Sequence, residues 1–180
     1  MTEICRQRRR LLGASVATMA LAGLPSLSFA SRATPKVLSF YNRHTGETGR
    51  AEFWRDGGVV EAGAEALDPL LRDHRQNEVA AIDRRLYHLV SALTERLEFR
   101  GDIHVISGYR SDKTNEMLAA RSGGVAKKSY HTRAMAVDIA LPGIALEQVR
   151  DAALALGLGG VGYYPRSGFL HVDTGPVRRW

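Results

Sequence analysis

VGYYPRSGFLHVD, residues Val161–Asp173, is the stretch that decides the fold class. Val161-Gly162-Tyr163-Tyr164 and Phe169-Leu170-His171-Val172-Asp173 carry β-branched and aromatic residues, and Pro165–Gly168 between them has turn composition. The stretch predicts a hairpin, hence antiparallel pairing. Upstream, Leu146–Leu156 reads as a helix terminated by Gly157. Ala136-Val137-Asp138-Ile139-Ala140 reads as a strand stopped by Pro142-Gly143. Lys113–Ala120 reads as a helix broken by Ser122-Gly123-Gly124, with a polar loop onward to Ser129. Ile103–Ile106 reads as a buried strand ending at Ser107-Gly108. From Glu78 to Leu97, apolar residues Val79, Ile82, Leu86, Leu89, Val90, Leu93 and Leu97 recur at threes and fours, which predicts one long amphipathic helix. Asp68 before Pro69 predicts a helix cap with proline in the first turn. Val37–Asn42 and Ala51–Trp54, separated by a turn at His44–Glu47, predict a second hairpin. Helices and strands alternate, but hairpins join several of the strands. The expected fold is therefore α+β, a small, mostly antiparallel sheet with flanking helices.

The first thirty residues have a different character. RQRRRLLG at 6–13 leads into a small, apolar run from Leu11 to Leu24, then Pro25 and Ser28-Phe29-Ala30. A charged start, an apolar centre and a small-x-small end are the parts of an export signal, with cleavage expected before Ser31. Arg8-Arg9, followed by Arg10-Leu11-Leu12, resembles the twin-arginine type. The apolar run is shorter than the ~20 residues a spanning helix needs, so no stable membrane insertion is expected after cleavage. The segment also holds Cys5, the single cysteine of the 180-residue chain. The remainder can have no disulfide framework, cysteine nucleophile or cysteine-based metal site. The formal net charge is +6, but four Arg and one Glu lie in the first thirty residues, which leaves a mild surplus spread over the rest. Scattered basic residues and 7% aromatics give no case for nucleic acid.

Three blocks carry possible chemistry: Ser107-Gly108-Tyr109-Arg110-Ser111, Ser129-Tyr130-His131 through Asp138, and His171-Val172-Asp173. Asp138 sits within an apolar strand, where a carboxylate is costly unless it is paired or metal-bound. His171 sits within another. Two neutral imidazoles and a carboxylate suit zinc and leave a fourth position open to water, whose pKa such a site lowers. Hydrogen-bonded core histidine, and an Asp138–Arg110 ion pair, are the competing readings. No serine is placed with a convincing His–Asp pair, so serine hydrolysis is rejected. His104 is expected in the core, His44 near a turn, and His74 and His88 on solvent-facing helix. Ser107 and Ser111 read as turn or cap residues.

SGYRS, SYHTRAMAVD and FLHVDTG, in that order, resemble the zinc peptidases of the LAS type, which include D-alanyl-D-alanine carboxypeptidases, DD-dipeptidases and the hedgehog fold. With VLSFYNRHTGE at the start and HVDTGPVRRW at the end, residues 36–180 are similar to the YcbK/MepK group of murein endopeptidases. The resemblance implies a hedgehog/DD-peptidase-like zinc domain over 31–180, exported to the periplasm, with His131, Asp138 and His171 as zinc ligands. It implies that Arg110 steadies the substrate or the developing oxyanion. Tyr130 and Tyr164 are candidate substrate contacts. The implied activity is hydrolysis of peptidoglycan cross-links between stem peptides, between two diaminopimelate residues. A carboxypeptidase or dipeptidase on the same scaffold, and a non-catalytic zinc-containing wall-binding module, are the alternatives. Two departures stand out. Ala134 replaces the pattern's usual glycine, and Gly168 and Phe169 occupy the positions where related enzymes place a catalytic base. Asp173, two residues past His171 on the same strand face, is the candidate base, with an orienting role for His171 or direct ligation as its other possible roles.

Overall fold

The computed structural model describes residues 34–121 and 128–180. The export-signal reading of 1–30 and the Ser122-Gly123-Gly124 break lie outside the described residues. In chain order the elements begin with β1 (Lys36–Asn42), β2 (Thr48–Arg55), β3 (Gly58–Val59), α1 (Glu61–Leu67) and a 3-10 turn (Asp68–Leu71). Then come α2 (Arg84–Arg96), β4 (Ile103–Ser107), α3 (Asp112–Arg121) and a second 3-10 turn (Tyr130–Arg133). β5 (Ala136–Ala140), α4 (Leu146–Leu156), β6 (Gly160–Tyr164), β7 (Phe169–Asp173) and β8 (Arg178–Arg179) complete the fold.

The strands form one sheet in the order β3-β2-β1-β4-β5-β7-β6-β8. Only β1–β4 and β6–β8 run parallel among the described pairings; the rest are antiparallel. The α+β reading therefore holds, and both expected hairpins are present as β1–β2 and β6–β7. The sheet is longer than the sequence suggests, because β3 and β8 are two-residue strands with no local pattern of their own.

Alternation divides the sheet's faces. Val137, Ile139, Leu170 and Val172 join Leu38, Phe40, Ile103, Val105 and Val161 in a single buried cluster. The apolar stripe of α2 (Leu86, Leu89, Val90, Leu93) and Val149, Ala152 and Ala153 of α4 complete it. The residues between them, Asp138 and His171, point to the opposite face.

Two expectations need correction. The long helix begins at Arg84, not at Glu78. Glu78 pairs with Asp73 in an isolated bridge, and Asp83 caps the helix, its side chain accepting from Arg85 N at 3.0 Å. Ile82 is buried without being helical, whereas Val79 is 52% exposed. Asp68 caps nothing. Its buried carboxylate accepts from Tyr87 Oη at 2.6 Å and from Arg84 at 2.8 Å, so it ties the 3-10 turn to α2. Tyr87 is fully buried, and that burial, together with Asp68, pushes its phenol well above the ordinary range.

Candidate active site

The register of the four central strands builds most of the site. Ser107 of β4 lies opposite Asp138 of β5, Asp138 opposite His171 of β7, and His171 opposite Gly162 of β6. Directly paired residues share a face, so these four form one row across the sheet. A second row runs Ala136–Asp173–Gly160, with Arg178 of β8 beside Gly160. The first row holds the reactive groups and the second supports them.

His131 reaches the first row from the 3-10 turn before β5. Ser129 caps that turn by accepting from His131 N, and Ala134 ends it with φ 55°. The turn is thus as tight as a glycine pattern implies. An alanine in this left-handed region costs on the order of 1–2 kcal/mol. This turn brings His131 and Asp138, seven residues apart, into contact.

The imidazole tautomers follow from the partners. His131 Nδ1 donates to Gly108 O at 2.7 Å, which leaves Nε2 unprotonated. His171 Nε2 donates to Asp173 Oδ2 at 2.9 Å, which in the neutral ring leaves Nδ1 unprotonated. Those two bare nitrogens lie 3.1 Å apart, and Asp138 Oδ1 lies 3.2 Å from the first and 2.8 Å from the second. With both imidazoles neutral, three electron-pair donors converge with no hydrogen-bond donor among them. Such an arrangement repels itself unless a proton or a cation sits in the middle. Burial holds the His131 pKa below its ordinary value. Burial would also lower His171, but its hydrogen bonds to Asp138 and Asp173 outweigh that and raise it. Burial would raise Asp138, and the two histidines overcome it and hold the carboxylate well below the usual range. The spot therefore favours positive charge. A buried His–Asp–His donor set matches zinc in number and type and fits the ion.

Arg110 closes the row. Its Nε donates to Ser107 Oγ at 2.8 Å and its Nη2 to Asp138 Oδ2 at 2.7 Å. The Asp138–Arg110 ion pair is thus present, but on the oxygen that the histidines do not use. Ion pairing and metal ligation are compatible. Burial lowers the Arg110 pKa and nearby Asp138 opposes the shift.

Asp173 has no exposed surface. Its Oδ2 accepts from His171 and from Arg178 Nη2 at 2.7 Å; its Oδ1 accepts from Gly175 N, Gly160 N and Arg178 Nη1. Both oxygens are engaged away from the convergence point.

A cleft of about 440 Å³ opens over the row, lined by Arg110, Lys128, Tyr130, Tyr164, Phe169 and Trp180 among others. Both tyrosines picked from the sequence line it, Tyr164 stacked on Phe169 with ring centroids 4.7 Å apart. A larger cleft of about 620 Å³ lies between β1 and the end of α2, but no histidine or cysteine lines it. Chemistry, not size, selects the smaller one.

Sequence reasoning missed Arg178, Trp180 and Lys128. Trp180 lies across Gly162, where any Cβ would come within 2.7 Å of the indole, and its Nε1 donates to Tyr164 Oη at 2.8 Å. The bare glycine in the sheet was the available signal. The other histidines stay outside. His74 is in a turn rather than on a helix, stacked on His44 at 4.0 Å, and burial, with His44 beside it, lowers its pKa to about 4. His88 is on α2 but half-buried, edge-on to Trp54. His104 is half-buried against Tyr41.

Comparison with known proteins converges on one family. The M15-type peptidase family model described as peptidoglycan L,D-endopeptidase MepK matches residues 30–180. The chain is 44% identical over 182 residues to the peptidoglycan L,D-endopeptidase MepK of Escherichia coli K12, covering 100% of both, and equally similar to that of Shigella flexneri. It is 40% identical over 183 residues to the probable peptidoglycan L,D-endopeptidase MepK of Haemophilus influenzae, covering 100% of this chain and 98% of that one.

Proposed function

The chain belongs to this MepK family of M15 peptidases, and from that premise we propose that it is a zinc-dependent peptidoglycan endopeptidase cutting the cross-link between two diaminopimelate residues of neighbouring stem peptides. The observation that carries the reading is the convergence of His131 Nε2, His171 Nδ1 and Asp138 Oδ1 beside Arg110 at the floor of an open cleft.

His131, Asp138 and His171 would hold the ion. When bound, zinc supplies a Lewis acid for the scissile carbonyl and a water of lowered pKa. The protein's own groups do the rest. Gly108 O and Asp173 fix the two imidazoles in the tautomers that ligation requires. Arg110, held by Ser107 and Asp138, presents a fixed cation where negative charge develops on the substrate oxygen. Tyr130 and Tyr164 bound the cleft as substrate contacts. Asp173 serves His171, not the water, because both its oxygens are engaged out of the cleft.

Export to the periplasm through the Arg8-Arg9 signal in residues 1–30, leaving a domain from 31 to 180, matches a wall substrate. No helix among the described residues is long and apolar enough to cross a membrane. Export unchanged by an Arg8-Arg9 to Lys-Lys replacement would remove the twin-arginine route.

The test is metal analysis together with digestion of muropeptide dimers of defined cross-link. One zinc per chain and cleavage of the diaminopimelate–diaminopimelate dimer, both lost in His131→Ala, is the expected result. Release of only a terminal residue would make it a carboxypeptidase, and zinc without any cleavage would make it a binding module.

A further inference from the structure

Asp73 lies outside the cleft lining, yet it is 2% exposed and ionised. A buried carboxylate is costly unless hydrogen bonds replace its water. Here they do, and the donors are neutral. Oδ2 accepts from Ser111 N at 3.0 Å and Ser111 Oγ at 2.7 Å; Oδ1 accepts from Arg75 N at 2.9 Å and Gln76 N at 3.3 Å. Burial alone would raise its pKa, but these bonds and the nearby Thr114 hydroxyl lower it to about 2.

The residue it grips is the one after Arg110. The rest of the surrounding chain is clamped as well. Tyr109 N donates to Leu71 O at 2.7 Å, and the two backbones are so close that a Cβ on Gly108 would fall 2.2 Å from that same oxygen. On the inner side, Arg110 N donates to His131 O at 3.2 Å, and Gly108 O holds His131 Nδ1. Residues 108–111 are therefore pressed between an outer strip, 71–73, and the ligand turn. Ser111 also starts α3, its Oγ accepting from Thr114 N and its carbonyl from Asn115 N.

We propose that Asp73 is a positioning residue for Arg110: by fixing Ser111 it sets where the guanidinium stands relative to Asp138 and the cleft. The proposal rests on the endopeptidase reading given above. Asp73 is 38 residues from Ser111 in the chain. It acts through Ser111 and touches no reacting atom. The competing view is that Asp73 merely stabilises the start of α3.

A double-mutant cycle separates the two. Asparagine keeps the shape but has one acceptor oxygen, so Asp73→Asn sets an amide N–H against donors that the carboxylate now satisfies. Displacing a catalytic group by about 1 Å can cost on the order of 100-fold. With one zinc retained, Asp73→Asn is expected to lower kcat on the defined dimer at least about tenfold and to leave KM within about twofold. In an Arg110→Lys background the same change should cost less than about threefold, because the group being positioned is gone. Equal factors in both backgrounds, or no loss at all, overturn the proposal. Ser111→Ala, which removes the hydroxyl's bonds to Asp73 and to Thr114 N but keeps the Ser111 N bond to Asp73, runs the same cycle if Asp73→Asn does not fold. A second readout needs no turnover. The Arg110 Nε–H resonance, hydrogen-bonded to Ser107, should shift in Asp73→Asn while core β5 amides stay in place; an unmoved resonance overturns the proposal. If wild type cleaves no dimer, the endopeptidase reading fails, and this resonance still decides the role of Asp73.

Discussion

Asp173 can be read three ways from sequence, and its hydrogen bonds favour the orienting role proposed above. As a general base it would need a free oxygen facing the cleft. Instead one oxygen receives His171 Nε2 and Arg178, and the other receives two backbone N–H groups and Arg178. It therefore resembles the carboxylates that commonly orient a metal-bound imidazole. Its pKa follows: burial would raise it, and the bonds to His171 and Arg178 hold it well below the usual range. Asp173→Asn should weaken zinc binding about 10- to 100-fold, as such orienting partners do. Competition with a chelator measures this directly, and activity should return when zinc is raised to saturation. Unaltered affinity with a lost rate would instead restore Asp173 as the base. Ala134 is a further case at this scale. Its positive φ could be suspected from the glycine usual at that position, but not from the composition of SYHTRAMAVD itself.

Helix α2 shows where local pattern and tertiary structure part. The three–four spacing from Val79 to Leu97 is real, yet the first five residues of that run are not helical. Asp83 decides the boundary. It caps Arg85 N, accepts from Thr174 Oγ1 at 2.7 Å, and its own N–H donates to Ala134 O at 2.9 Å. The cap thus joins the start of α2 to the end of the ligand turn and to the segment after β7. Asp83→Ala should lower stability by about 1 kcal/mol at neutral pH, the usual cost of losing a cap. The sign of the pH dependence is fixed. Burial would raise the Asp83 pKa, but the bonds to Arg85 and Thr174 lower it below 3.8. Its contribution is thus complete above the unfolded value and fades as pH falls through the lower folded one. Wild-type and Asp83→Ala melting curves should converge as pH falls below 3.8 and through the lower folded value, and a gap that stays constant throughout that fall would refute the assignment. Elements with a full period in sequence, such as β5, α4 and the β6–β7 hairpin, were legible. Strand β8 was not, because two residues become a strand only by pairing with β6.

Across the whole molecule, the site is a property of sheet order. Ser107, Asp138, His171 and Gly162 come from four strands and meet only because β4, β5, β7 and β6 are neighbours. Asp138 and His171 were legible as unusual polar residues in apolar strands, whereas Ser107 read as a turn or cap residue, and the order of the three blocks pointed to the family. The supports were not legible. Asp73, Arg178 and Trp180 act through space, and no local pattern marks them. The same sheet order sets the field of the cleft. Its cationic lining residues are Arg110, Lys128 and Arg178, while Asp138 is neutralised by its partners. Arg110 and Arg178 have structural duties to Asp138 and Asp173, whereas Lys128 is exposed. A stem peptide carries free carboxylates, so the cleft should draw it in over a Debye length of about 8–10 Å at ordinary ionic strength. Lys128→Glu should therefore lower kcat/KM about three- to tenfold at low salt and hardly at all near 1 M, where that length falls to about 3 Å. Zinc content should not change, since Lys128 is not among the ligand candidates. The measurement is kcat/KM against salt for wild type and variant. Parallel curves would mean that Lys128 contributes a contact rather than a field, and coincident curves would mean that it contributes neither.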